Sequence, residues 1–529
     1  MTPQEVAEAV SAAAAARGAT ARLDGLTVNV AYGGRAAQFP LPADSADLDR
    51  RASIPSALPS RARGDVREKM LYNILQDMVG QSDSRISDSA LREALADRLP
   101  ADSNHRQILA DVAEKQYWIR PKAALGSRPF LAPFHSDLPG GFTYPGRYKS
   151  FRGSLLLYLC WDGRDFDLAL PSEIIDFLGS DDGLNPLDRA FLTAARAVAS
   201  LETPAAADPE RLVQQFGASL RKDFTQGAFD QKGLDRIRRD LRTVVGLELP
   251  RHDKAHALIV VFSLHIALYY YRLAYRLGEG LRSAAQVLDG QELPDHPDFR
   301  GRILFRVGSA GDRPVQASDP CARSWWDLDE QHLLALPASM VSANLLHEAA
   351  QASGVNCGPI PDPYACAQAL ATDPVGAVLT DLLCAASAAI LPSGQQDPGA
   401  DEPGAGGYAL REAVLASFRS RGSALKQRGR DIVNTLVGGS GGELKRIRGR
   451  VRFFELDEQV TFLLVKLILA SSHRPQLAFR KEFLPALREY GLAPQSAAEE
   501  ELLSQALGRL GLLERYSDAG EALYVRHIL

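Results

Sequence analysis

Apolar positions along the chain fall mostly at helical spacing. In residues 65–79, Val66, Met70, Leu71, Ile74, Leu75 and Met78 recur every three or four positions, which puts them on one face of a helix. The same spacing predicts helices over 87–99, 103–118, 172–178, 186–202, 209–224, 232–247 and 254–281. It predicts others over 327–352, 364–371 and 375–391, the last apolar nearly all round, as a core helix is. Residues 255–271, AHALIVVFSLHIALYYY, are short for a membrane span, contain His256, Ser263 and His265, and run into Arg272 and Arg276. They read as the buried central helix of a globular body.

Period-two alternation is rarer. It flanks Gly33 and Gly34, predicting a β-hairpin after an Ala-rich amino-terminal helix, and returns in RILFRV at 302–307. Residues 154–160, SLLLYLC, fit either a buried strand or a helix. Strands and helices do not alternate regularly, which excludes a doubly wound sheet and a parallel barrel, and no solenoid period is present. The fold expected is mainly α: a multi-helical body with a few short strands. Composition breaks divide it into a small helix and hairpin module with a linker (1–64), the helical body (65–391), a Pro/Gly-rich linker (392–407), a basic helical segment (408–455) and a carboxyl-terminal unit (456–529). The Pro, Gly and aromatic-rich stretch 121–148 is long for a structureless loop, and such loops are often functional surfaces.

The carboxyl-terminal unit follows a definite order. A helix from Leu456, a short strand at 475–478, a helix ending at Gly491, a helix opened by Ser496 with Glu499 as capping-box partner, and a hairpin around residues 517–520 succeed one another. That order resembles a winged-helix domain over about 70 residues, in which the third helix and the wing often meet DNA. Here the third helix begins Glu499-Glu500-Glu501 and offers only Arg509 as a cation, and residues 456–529 carry a net charge of −2. Coulomb repulsion from phosphates therefore favours a structural or protein-binding wing over a base-reading one.

Charge changes the picture once it is taken locally. The 529 residues carry 60 Lys and Arg against 65 Asp and Glu, a net −5 that points to no electrostatic partner. Between residues 411 and 452, however, Arg411, Arg419, Arg421, Lys426, Arg428, Arg430, Lys445, Arg446, Arg448, Arg450 and Arg452 face only Glu412, Asp431 and Glu443. This +8 segment leaves −13 on the remainder. Arg-dominated density of this kind suits bidentate phosphate contact, and the GGSGG loop at 438–442 offers backbone amides. The alternatives are an acidic protein partner or a plain solvated face. A second cluster, Arg236, Arg238, Arg239 and Arg242, shares its helix with Asp235 and Asp240 and reads as a solvated face.

Catalytic patterns are weak, and no cofactor or metal is expected. Ser440 within GGSGG matches a nucleophile elbow in letters, with Asp518 and His527 downstream, but the strands of a hydrolase sheet are missing, and the same loop is not a phosphate-binding P-loop. His252 and His256 share a helical face without the glutamate of a zinc protease. Trp325 and Trp326 could stack bases, though an anchoring role is favoured. Cys160, Cys321, Cys357, Cys366 and Cys384 form no CxxC pair, and their odd count implies neither a disulfide framework nor a zinc knuckle. Reduced thiols and an amino terminus without a basic start and apolar core lead to the expectation of a cytoplasmic protein with no membrane contact.

A phosphate-suited segment beside a winged-helix-like end on a helical body resembles the accessory subunits of bacterial DNA-phosphorothioation-dependent restriction and other antiphage defence systems. The resemblance implies a non-catalytic subunit that meets DNA and an ATPase or nuclease partner supplying the chemistry. Its rivals are a hydrolase or nuclease with a dispersed site and a scaffold for acidic proteins.

Overall fold

The computed structural model describes residues 3–24, 27–40, 52, 67–79, 88–99, 103–119, 130–141, 153–199, 207–224, 229–288, 292, 295–307, 314–352, 354–373, 378, 429–430, 432–433, 444–448, 450–516 and 522–526. The chain is mainly α-helical with a few short strands. At the amino end, helix α1 (Pro3–Ala16) precedes β1 (Thr20–Asp24), β2 (Thr27–Tyr32) and β3 (Arg35–Pro40), an antiparallel sheet rather than a lone hairpin. Gly33 and Gly34 both hold positive φ, 57° and 82°, which is what a two-residue turn between twisted strands requires. Arg35 reaches Asp373 of the helical body at 2.7 Å, so the module is docked on that body.

The body begins with α2 (Arg67–Val79), whose Met70, Leu71, Ile74, Leu75 and Met78 are all buried, as their spacing predicts. Two-residue strands β4 (Trp118–Ile119) and β5 (Phe130–Leu131) pair, and Phe134, His135, Ser136, Asp137 and Leu138 are buried behind them. The middle of the 121–148 stretch is therefore core, not a functional surface; its aromatic and aliphatic residues pack with Tyr117 and Phe191. Residues 154–160 resolve as helix, α3 (Gly153–Leu159), because burial on every side rather than alternation sets their apolar run. Then come α4 (Pro186–Val198), α5 (Gln231–Gly246) and α6 (Arg251–Leu288).

Helix α6 is the axis of the body. Its 38 residues span about 57 Å at the α-helical rise. It is long and apolar enough to cross a membrane by length and composition, yet 89% of its most apolar stretch is buried inside the fold. Tyr269, Tyr270 and Tyr271 are fully buried; the Tyr269 hydroxyl lies 3.3 Å from that of Tyr158, and the Tyr271 hydroxyl donates to Asp329. Their rings fill the core while the hydroxyls avoid the cost of an unpaired buried polar group.

After α6, β6 (Ile303–Val307) is followed by α7 (Pro320–Trp325), a π-helical turn over Trp326–Leu333, α8 (Leu336–Ala352) and α9 (Pro363–Ala371). Residues 445–456 are not helical as expected: β7 (Lys445–Arg448) and β8 (Val451–Leu456) form an antiparallel hairpin. The sequence KRIR followed by VRFFEL alternates, and the pull of Phe453, Phe454 and Leu456 into the core selects the strand over the helix that Arg otherwise permits.

The carboxyl-terminal elements are α10 (Glu458–Ser472), β9 (Gln476–Ala478), α11 (Leu484–Glu489), β10 (Leu492–Pro494), α12 (Ala497–Arg509), β11 (Leu513–Tyr516) and β12 (Ala522–Arg526). Strand β12 pairs with both β11 and β9. These elements are not a detached unit. One four-stranded sheet, in the order β10-β6-β8-β7, takes β6 from the helical body and its other strands from beyond residue 444, with β6 parallel to both neighbours. A single core cluster accordingly runs from Met70 to Val525.

A buried polar junction fixes this union. Asp240 of α5 has no exposed surface; its carboxylate accepts from His265 Nε2 of α6 at 2.7 Å and from the Tyr490 hydroxyl at 2.8 Å. Immediately after Tyr490, Gly491 turns the chain at φ 88° against Phe299, and β10 then joins β6. Tyr490→Phe is expected to cost about 1.5–3 kcal/mol, as the loss of a hydrogen bond to a buried charge does. Asp240→Ala, which strands both donors, is expected to cost about 3–5 kcal/mol. Urea unfolding checks both, and wild-type midpoints would contradict the junction.

Candidate functional site

The expected phosphate-binding residues divide into two groups. Arg411, Arg419, Arg421, Lys426 and Arg428 lie outside the described residues, as do the GGSGG loop with Ser440, the linker 392–407, and Asp518 and His527. Arg430 is described and exposed, and Gly429 before it is seated so closely on α8's approach that a Cβ there would collide with the Leu334 carbonyl oxygen. Ile432 and Val433 follow into the main core. Gly429 is thus pinned to Leu334, at the end of the π-helical turn Trp326–Leu333.

The other half returns to the same place. Strand β7, carrying Lys445, Arg446 and Arg448, is an edge of the four-stranded sheet. Arg450, at the hairpin turn, is exposed. Arg452 on β8 is exposed too; its guanidinium lies 5.3 Å from the Trp325 ring centroid and 3.9 Å from Glu330. Trp325 is 6% exposed and belongs to the core, whereas Trp326 next to it is 55% exposed. The tryptophan pair therefore splits into an anchor and a free face. Charged edge strands also protect sheets from unwanted pairing, so the cations of β7 serve the fold as well.

Helix α12 offers less. Its Ser496 cap accepts from the Glu499 backbone as expected, but the Glu499 carboxylate is buried against Arg306 of β6 at 3.5 Å and takes a hydrogen bond from Gln495. Glu500 lies 3.9 Å from Arg480. The exposed positions are Ala497, Ala498, Glu501, Gln505, Gly508 and Arg509, one cation balanced by one acid. This helix is docked on the sheet and poor in groove-reading groups.

The second basic cluster is internally engaged. Arg238 bonds Asp235 and the Trp161 carbonyl, Arg242 lies 2.8 Å from Asp167, and Arg236 donates to the Glu489 carbonyl. His252 contacts buried Asp188 at 2.7 Å, with Tyr117 donating to the same oxygen at 2.6 Å, and His265 serves Asp240. His252 is thus part of a polar network in the core.

One constellation escaped the sequence reading. His347 on α8, Cys357 in the following loop and Cys366 on α9 are all buried, with their donor atoms within 4.8 Å of one another. His347 Nδ1 is 3.4 Å from the Cys357 sulfur and 3.7 Å from that of Cys366, while its Nε2 is 2.8 Å from the Gln351 amide. Hydrogen bonding from Cys366, with His347 assisting against burial, pushes the Cys357 thiol down to about 5. The proton kept beside it, together with burial, drives Cys366 upward. No spacing rule joins these residues, since they are separated by nine and eight positions. The available signal was a histidine on one helix and a cysteine on the next, flanking the turn that holds Gly354, Gly358, Pro359 and Pro361.

No protein-family model matches the chain, and no curated protein is detectably similar to it. Function must be argued from these sites alone. The seating of Gly429 is directly checkable: Gly429→Ala drives a methyl group into a backbone oxygen and is expected to cost about 1–3 kcal/mol. An unchanged denaturation midpoint would contradict it.

Proposed function

We propose that this chain is a non-catalytic subunit of a DNA-handling assembly, binding nucleic-acid phosphates through the hairpin β7–β8 and the exposed face beside it. One observation carries the reading: Gly429, beside exposed Arg430, and Arg452, two residues after exposed Arg450, both close on residues 325–334, whose Trp326 is exposed. Cations that track a backbone next to a free aromatic face form the pattern by which sequence-tolerant single-strand binders work. The ion pair of Arg452 with Glu330 is loose and exposed, worth under about 1 kcal/mol, so a phosphate can displace it.

The winged-helix-like order of the last elements, with β9, β12 and β11 in one sheet, supports placing the chain among nucleic-acid-associated proteins. In this reading the wing and α12 serve protein contact while the hairpin meets phosphates. An ATPase or nuclease partner supplies the chemistry, as in the antiphage systems that the layout resembles, and the assembly works in the cytoplasm.

Salt-titrated binding to a single-stranded oligonucleotide tests the proposal. Wild-type affinity is expected to fall with salt, and Arg450→Glu with Arg452→Glu to weaken it and flatten the logarithmic slope by about two. Trp326→Ala is expected to remove about 1–3 kcal/mol of binding to single strands. Affinity independent of salt, or unaltered by the charge reversal, would overturn it.

A further inference from the structure

We propose that His347, Cys357 and Cys366 form a binding site for a thiophilic divalent cation of the zinc class, with three protein ligands and solvent in the fourth position. The two sulfur-to-nitrogen distances are those of a coordination tetrahedron. Zinc bonds of about 2.3 Å to sulfur and about 2.0–2.1 Å to nitrogen, at tetrahedral angles, set sulfur-to-nitrogen edges at roughly 3.6 Å. The two observed, 3.4 and 3.7 Å, bracket that value.

A neutral imidazole nitrogen carries either one proton or one in-plane lone pair, and here two sulfurs converge on the single Nδ1 of His347. A cation at their common centre satisfies all three donor atoms at once. The second ring nitrogen also has a partner: Nε2 lies 2.8 Å from the Gln351 side-chain amide nitrogen. With the amide oxygen turned to it, Nε2–H donates and Nδ1 is left free for the metal.

The surroundings give the cation a structural task. The cluster's apolar company is small: Ala284, Leu346, Ala350, Ala367 and Leu370. α9 lies so close to α6 that a Cβ on Gly280 would meet Pro363 at 2.8 Å. Metal bonds bridging α8, the loop and α9 would tie this corner to the end of the central helix, making metal affinity part of the folding energy.

The full chain, purified under reducing conditions without chelator, is expected to hold one zinc per molecule by elemental analysis. The Cys357→Ser, Cys366→Ser double variant is expected to hold less than a tenth of that, and Cys321→Ala to keep it. Because the double variant could lose zinc simply by misfolding, metal-free wild type is titrated with Co²⁺. Intense tetrahedral d–d bands and thiolate-to-cobalt charge-transfer absorption, saturating at one equivalent and bleached by Zn²⁺, are expected. Absence of those bands, or zinc content unaltered in the double variant, would overturn the site. So would a Cys357–Cys366 disulfide recovered from protein that takes up no metal in its reduced form, which would make the pair a redox couple.

Discussion

A carboxylate with no exposed surface is tolerable only where its charge is met by donors, and Asp240 is met by two that come from different parts of the chain. His265 belongs to the central helix and Tyr490 to the carboxyl-terminal elements, 250 residues from Asp240 in sequence. The junction holds α5, α6 and the end of α11 in one arrangement. From there Gly491 admits β10 beside β6, and β6 in turn receives β8 and the hairpin. The surface on which Arg450 and Arg452 stand is thus set by a polar contact buried far from it in sequence.

The same junction explains how much the sequence could show. Helix α6 was legible because its apolar run and its escape from polar residues are local properties, and α2 because one face repeats at helical spacing. The hairpin β7–β8 was not, because its partner strand lies about 150 residues earlier and because the charge of KRIRGRVR masks the alternation of Val451, Phe453 and their neighbours. Residues 154–160 stayed open between strand and helix for the opposite reason: burial on all sides erases the period that separates the two. Division of the chain at Leu456 followed composition, whereas the core follows the sheet.

The candidate sites differ likewise. Charge density marked Arg430, Arg450 and Arg452 from the sequence, since counting needs no fold. Which tryptophan faces solvent, and that Glu499 is spent on Arg306, required the packing. The thiol and imidazole groups of His347, Cys357 and Cys366 were invisible because only the turn between α8 and α9 closes gaps of nine and eight residues into one cluster.

The hairpin belongs to the same cooperative body as the central helix, joined through Asp240 and the sheet. Native-state hydrogen exchange tests it most directly. The amides of β6, β8 and β10 are predicted to exchange through the same opening, with the same denaturant dependence, as those at the middle of α6. Exchange of β8 and β10 through a separate, lower-energy opening that leaves α6 protected would contradict it.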